Sequence, residues 1–155
     1  MTIDEVLAHV PIFATLDPEE LVAVKQALEK KVYAENAVVF EEKAPGDGLY
    51  IVAIGAVKIV KNIDAGNRRA LAGFIEGDFF GEMALLDGKP RSAGAVTTRP
   101  SVLFRISVEH FNQLMHSAPF AALKIVSQIA CFMAMRMREI DMRLAELENF
   151  RLLRE

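Results

Sequence analysis

The segment FFGEMALLDGKPRSA, residues 79–93, combines residue types that could bind an anion. Gly81 and Glu82 open an apolar run with room for barely one helical turn, whose first backbone N–H groups would lack intrahelical acceptors. Gly81 has no Cβ, so a ligand could approach the backbone closely. After a turn, Arg91 supplies a charged fork of N–H donors that suits phosphate oxygens. The segment therefore predicts a phosphate-binding site.

Each polar group of this segment has a place in such a site. The backbone amides that would face the anion are those of Gly81, Met83 and Ala84. Ser92 would add a hydroxyl and an N–H. A carboxylate beside a phosphate is repulsive unless it accepts a hydrogen bond, so Glu82 suits a ribose hydroxyl. The alternative is a glycine-bounded turn with a surface Glu82–Arg91 salt bridge, which explains neither the small residues nor the Pro-Arg-Ser order.

These residues resemble the phosphate-binding cassette of the cyclic-nucleotide-binding domain family, F-G-E-[LM]-A-L-x-x-x-x-P-R-[AST]-A. The residues that match the pattern are Phe80, Gly81, Glu82, Met83, Ala84, Leu85, Pro90, Arg91, Ser92 and Ala93. The resemblance implies that Glu82 holds the ribose 2′-OH and that Arg91 pairs with the cyclic phosphate, with Gly81, Ala84 and Ser92 completing the cradle. Serine after the arginine is common in cyclic AMP binders of the family, so we expect cyclic AMP in preference to cyclic GMP.

Length and composition bound the fold and the partners. The 155 residues, 52% of them hydrophobic, suffice for one domain with a sizeable core. The 18 basic and 21 acidic residues leave a net charge of −3, which argues against direct DNA binding. The acidic N-terminus lacks the basic region of a signal peptide, and no apolar run approaches the ~20 residues of a membrane span. We therefore expect a cytoplasmic protein.

Helix signals dominate the first 31 residues. Residues 3–9 predict a short helix that ends before Pro11. Asp17-Pro18-Glu19-Glu20 is a helix start signal, and apolar residues at helical spacing extend that helix to about Lys31. The expected domain thus has N-terminal helices over 1–31, a β-roll over 32–107 and C-terminal helices over 108–155.

From residue 32 to residue 107 the periodicity is that of short strands separated by turns. The predicted strands are 38–40, 49–54, 57–60, 70–75 and 102–106. This pattern favours an α+β fold built on a jelly roll (β-roll, or double-stranded β-helix) of about eight strands, with a short cassette helix and a long C-terminal helix. The run from Pro45 to Val57 resembles the glycine framework of the same family. That resemblance places Ile59 and Leu71 in the nucleotide pocket, although ordinary core is the better default for both.

A jelly roll also raises the possibility of a metal-dependent enzyme. Such a site needs histidines and a carboxylate together on strands. His9, His110 and His116 all fall in predicted helices, so we expect no metal site and no enzymatic activity. Cys131 lies in an apolar helical run, which favours a buried structural thiol.

The last third of the sequence predicts two helices. Ser107 caps the first, with Phe111 and Leu114 inward, and the second runs without a breaker from Ser117 to Glu155. Its apolar residues then alternate four and three apart in the manner of a coiled coil, at Met133, Met137, Ile140, Leu144 and Leu147. We predict a parallel homodimer through residues 117–150. The alternative is a helix that docks within its own chain.

The long helix also bears on ligand and output. In the family it lies over the bound base, and the position that reaches the base is Arg136 here; this side chain could contact a purine or simply be solvated. The 155 residues contain no recognisable output domain, so we expect either a stand-alone sensor that signals to a downstream protein partner or part of a longer protein. A dimerisation scaffold that keeps the fold but binds no nucleotide is the rival function.

Overall fold

The computed structural model describes residues 2–153, which form eight strands in two antiparallel sheets and five α-helices. The helices are α1 (Ile3–His9), α2 (Pro18–Ala27), α3 (Met83–Asp87), α4 (Val108–Ser117) and α5 (Pro119–Leu152). The strands are β1 (Leu28–Tyr33), β2 (Val38–Phe40), β3 (Gly48–Ile54), β4 (Ala56–Asp64), β5 (Asn67–Ile75), β6 (Phe79–Phe80), β7 (Gly94–Thr97) and β8 (Ser101–Ser107). The predicted jelly roll with flanking helices is confirmed.

The helix starts follow the capping rules. Thr2 and Asp17 each accept a hydrogen bond from the backbone N–H three residues on, which completes a capping box at α1 and at α2. Ser107 caps α4 in the same way through the His110 N–H, at 3.0 Å. The end of α2 differs from the sequence-based expectation of Lys31. The helix stops at Ala27, and Leu28 already pairs with Ile106 as the first residue of β1.

The two sheets run in the orders β1-β8-β3-β6 and β2-β7-β4-β5. Successive side chains of a strand point to opposite sides, and in β3 the side chains on both sides are buried. Leu49 and Ile51 join a core with the helices, whereas Tyr50 and Val52 join a second core inside the roll. The strand thereby fixes the position of the roll relative to the helical layer.

The helical layer covers one sheet. Phe111 and Leu114 of α4 are buried, as the helical spacing predicted. Ile125 and Ile129 of α5 are fully buried in the same core. Cys131 is exposed on α5, so the prediction of a buried thiol is wrong. The residue lies two positions after the buried Ile129, on another face of the helix.

Most of the second half of α5 has no covering layer. Met133 packs partly against the core, but Met137, Ile140, Leu144 and Leu147 are all more than half exposed. The predicted end of the helix at Glu155 lies outside the described residues.

By length and composition, α5 is the one helix of residues 2–153 that could cross a membrane. An 18-residue window in it has a mean hydropathy of 1.4 and is 22% buried. The expectation that no apolar run approaches span length is therefore too strong. Core helices of soluble proteins meet the same criterion, so the finding carries little weight for a membrane location.

Candidate functional site: a cassette facing a small cavity

The cassette residues form a tight turn followed by one short helix. Gly81 has φ +77°, and a Cβ on it would lie 2.6 Å from Arg91 Nη1, so this position requires glycine. Helix α3 has five residues and ends at Gly88 in the left-handed conformation. So short a helix has little macrodipole, and its contribution to an anion site is its first unpaired N–H groups, those of Met83 and Ala84.

A cavity of about 200 Å³ lies between this cassette, strands β4 and β5, and α5. From the cassette its walls include Phe80, Gly81, Glu82, Met83, Ala84, Asp87, Lys89, Pro90, Arg91, Ser92 and Ala93. The strands contribute Phe40, Ile59, Ala72 and Phe74, and α5 contributes Arg136. The structure thus gathers residues up to 96 positions apart in the chain, Phe40 and Arg136, around one cavity.

The Arg91 guanidinium is held in place by the backbone carbonyls of two glycines and by one carboxylate. Its Nη1 donates to Gly81 O at 2.9 Å, and its Nη2 donates to Gly48 O and to Asp47 Oδ1, both at 2.6 Å. The guanidinium also lies 3.9 Å from the centroid of the Phe40 ring. The Arg91 side chain is only 4% exposed. Its Nε–H is buried and has no acceptor among the described residues.

Asp47 is the centre of the charge network beneath Arg91. Its Oδ2 accepts from Arg105 Nη1 at 2.6 Å and from the Tyr50 hydroxyl at 2.8 Å. Arg105 in turn donates to Glu29 at 2.7 Å. Burial raises the pKa of Asp47, but the hydrogen bonds from Arg91, Tyr50 and Arg105 outweigh it and leave that pKa below its ordinary value. Asp47 therefore stays ionised and fixes the orientation of Arg91.

Glu82 and Arg136 form a second ion pair at the same cavity. Arg136 Nη1 donates to Glu82 Oε1 at 2.6 Å. The Glu82 side chain is 9% exposed and that of Arg136 41% exposed. The Arg136 guanidinium also lies 5.6 Å from the ring centroids of Phe74 and Phe79. The long helix is thus joined to the cassette by an ion pair flanked by two aromatic rings.

Comparison with known proteins agrees with this architecture. The family model of the cyclic nucleotide-binding domain matches residues 30–118, more than half of the chain. The chain belongs to this family. It is 33% identical over 134 residues to the Cyclic AMP receptor protein of Thermus thermophilus, covering 86% of this chain and 60% of that protein. It is 34% identical over 109 residues to the cAMP-dependent protein kinase regulatory subunit of Aspergillus fumigatus, covering 70% of this chain and 26% of that subunit.

Solved structures give the same result. The crystal structure of the Thermus thermophilus Catabolite Activator Protein superposes with a TM-score of 0.77 at 32% identity, over 89% of this chain and 63% of that one. A cyclic nucleotide-binding domain from Methylobacillus flagellatus KT gives a TM-score of 0.76 at 25% identity, over 87% and 76% of the two chains. The chain spans less than two thirds of the first of these structures and of both curated relatives.

Within this family member, one residue expected at the pocket lies outside it. Leu71 is 58% exposed on β5 and does not line the cavity, whereas its neighbour Ala72 does. A register shift explains the difference. Ile59 pairs with Ala72 and Val60 with Ala70, so Leu71 is the extra residue of a bulge. Ile59, by contrast, does line the cavity.

Three functional candidates escaped the sequence analysis: Asp47, Phe40 and Phe74. The Pro45-Gly46-Asp47 run predicted only a turn, and charge alone does not say which carboxylate an arginine will meet. Phe40 and Phe74 were predicted only as members of the strands 38–40 and 70–75. Only the pairing of strands places the two rings at the cavity.

Ser92 lies at the exposed rim of the cassette. Its backbone carbonyl accepts a hydrogen bond from Lys61 Nζ at 2.5 Å, and Lys61 also pairs with Glu42 at 2.8 Å. Lys89 lines the same rim. Lys89 is therefore the lysine that lines the cavity, whereas Lys61 beside Ser92 is already paired with Glu42.

Proposed function

We propose that this domain is a sensor of a cyclic nucleotide, with cyclic AMP preferred to cyclic GMP. Arg91 would pair with the cyclic phosphate, the amides of Gly81, Ala84 and Ser92 would complete the cradle, and Glu82 would accept from the ribose 2′-OH. Phe80, Met83 and Ile59 would line the pocket. The proposal involves binding without catalysis and requires no metal.

The observation that carries this proposal is the buried Nε–H of Arg91. A guanidinium has five N–H donors, and three of them have protein acceptors: Gly81 O, Gly48 O and Asp47. The Nε–H has none among residues 2–153, although a buried donor without a partner is costly. The residue also lines the cavity beside the cassette amides. An anion in the cavity would supply the missing acceptor.

The preference for cyclic AMP rests on Ser92 and on the relatives. Serine follows the arginine here, and the similar proteins include a Cyclic AMP receptor protein and cAMP-dependent kinase regulatory subunits. Cyclic nucleotides are intracellular messengers, so we place the domain in the cytoplasm.

Titration calorimetry of nucleotide-free protein with cyclic AMP and then cyclic GMP tests this function. We expect one saturable site per chain and tighter binding of cyclic AMP. Arg91→Lys keeps the charge but loses the fork, and should weaken binding about tenfold. Arg68→Lys is the matched control, since Arg68 pairs with Glu41 on an exposed hairpin. A folded protein that binds neither nucleotide would contradict the function and favour the scaffold.

We propose a homodimer through residues 117–150 as the second part of the function. The apolar side chains of α5 that lack a covering layer support it, because their exposure to water is unfavourable in an isolated chain. Ligand binding would then shift α5 relative to the roll and alter a downstream protein partner. Equal hydrogen exchange in α5 with and without saturating nucleotide would contradict that coupling.

Sedimentation equilibrium tests the dimer. Leu144→Glu places a charge at a predicted seam position and should shift the protein toward monomer. Ala145→Glu introduces the same charge at the next position, which faces away from the seam, and should leave the mass unchanged. A monomeric wild-type protein would contradict the proposal. Sedimentation with added lipid vesicles would show whether α5 instead meets a membrane.

A further inference from the structure

Arg136 is the one cation paired with Glu82 in the described chain. The pair joins α5 to the cassette at 2.6 Å, across 54 positions of sequence. Arg91, the other arginine of the cavity, makes its ion pair with Asp47 and makes no hydrogen bond to Glu82. The two arginines therefore have separate carboxylate partners.

Glu82 needs a cation because it is buried beside a proposed anion site. Its residue surface is 6% exposed, and an unpaired carboxylate at that depth pays a desolvation cost. A bound phosphate would add like-charge repulsion. The guanidinium of Arg136 offsets both effects, so Glu82 can act as a hydrogen-bond acceptor beside a nucleotide monoanion.

The geometry leaves room for a ligand hydroxyl. Arg136 donates to Oε1 only, and Oε2 of Glu82 accepts no hydrogen bond from the described residues. The guanidinium is restrained by Phe74 and Phe79, each 5.6 Å away, which limits how far the paired carboxylate can turn. One oxygen is thus fixed and the other is free to accept.

We propose that Arg136 is a positioning residue for ribose recognition, acting through Glu82. It fixes the orientation of the carboxylate, so that the free oxygen accepts from the 2′-OH of the ligand. This inference rests on the proposed function and adds a specificity residue to it. Selection of a ribose over a deoxyribose then depends on α5 as well as on the cassette.

The experiment measures discrimination between cyclic AMP and 2′-deoxy cyclic AMP by titration calorimetry. A charged hydrogen bond to the 2′-OH should make the wild-type protein bind the ribose form about tenfold more tightly. Arg136→Gln should reduce that ratio to about threefold or less, mostly by weakening the ribose form. Arg136→Lys keeps a cation and should retain most of the ratio. If cyclic GMP binds more tightly, its 2′-deoxy form replaces that of cyclic AMP.

Two controls separate positioning from general effects. Arg138→Gln removes the same charge from an exposed position two residues along α5, and should leave the ratio unchanged. Glu82→Gln should lower the ratio, and adding Arg136→Gln to it should lower the ratio no further, since the arginine acts through the carboxylate.

The outcomes distinguish this inference from the function beneath it. If the wild-type protein binds and Arg136→Gln leaves the ratio unchanged, the inference is wrong and the sensor function stands. If Arg136→Lys behaves like Arg136→Gln while both remain folded, a charge-based role is also wrong. If the wild-type protein binds no cyclic nucleotide, the proposed function fails, and the inference fails with it.

Discussion

The two arginines at the cavity are held in opposite ways. Arg91 is 4% exposed and is fixed by two backbone carbonyls and Asp47, all within the β-roll. Arg136 is 41% exposed, belongs to a helix that extends beyond the roll, and has one ion-pair partner. The first is part of the fold, whereas the second joins a partly exposed arginine of α5 to the cassette through a single ion pair. The phosphate side of the site is therefore preorganised, and the α5 side is adjustable.

The largest difference that we expect between the two arginines is in their contribution to the free energy of unfolding. Arg91→Ala should lower the free energy of unfolding by about 3 kcal/mol, because Gly48 O, Gly81 O and Asp47 Oδ1 all lose the hydrogen bond that Arg91 donates. Urea unfolding followed by circular dichroism measures it. Arg68→Ala breaks an exposed pair and should cost about 1 kcal/mol or less. Similar losses in the two variants would contradict the preorganised role of Arg91.

A glycine comparison measures how closely the cassette is packed on Arg91. Gly81→Ala and Gly66→Ala both place a side chain at positive φ, +77° and +87°, which costs about 1 kcal/mol each. A Cβ at Gly66 meets nothing within 4 Å, whereas one at Gly81 lies 2.6 Å from Arg91 Nη1. Gly81→Ala should therefore cost about 2 kcal/mol or more in urea unfolding, and also weaken nucleotide binding. Equal losses would mean that the turn, not Arg91, sets the requirement for glycine.

Because Asp47 is ionised in the charge network around Arg91, the free energy of unfolding of the domain should fall at acid pH. The pKa of Asp47 is lower in the folded protein, so its stabilisation is present above the unfolded pKa of about 4 and is lost as pH falls through the folded value. In Asp47→Asn that contribution is absent at every pH. The difference in unfolding free energy between wild type and variant should narrow between pH 7 and pH 3. A constant difference across that range would contradict the assignment.

The smallest expected effect belongs to Arg136. Arg136→Gln should change the free energy of unfolding by about 1 kcal/mol or less, because the partly exposed arginine is screened by water and the glutamine amide can still donate a hydrogen bond to Glu82. The same urea titrations measure it beside Arg91→Ala. A loss as large as that of Arg91→Ala would mean that Arg136 contributes to the fold as much as Arg91 does. The contrast between a preorganised phosphate side and an adjustable α5 side would then be wrong.

The cassette shows how far local sequence reaches. Gly81, Glu82 and Arg91 act within one turn and one short helix, so their spacing alone predicts that they share a site. The strands β1, β6 and β7 were not predicted, because what makes them strands is not local in the sequence. They are short, or continue directly from a helix, and become strands only through pairing with β8, β3 and β4. Leu71 was misplaced because a bulge, which no alternation pattern reveals, shifts the register of β5 by one residue.

The amino-acid sequence by itself determined the jelly-roll class, the helix starts and the membership of the cassette, because capping, strand alternation and turn glycines are local in the chain. Tertiary structure alone decided which charges meet. Arg91 with Asp47 spans 44 positions, and Arg136 with Glu82 spans 54. Such pairs depend on strand register and on where α5 crosses the roll, and both are set by packing of the whole core rather than by neighbouring residues.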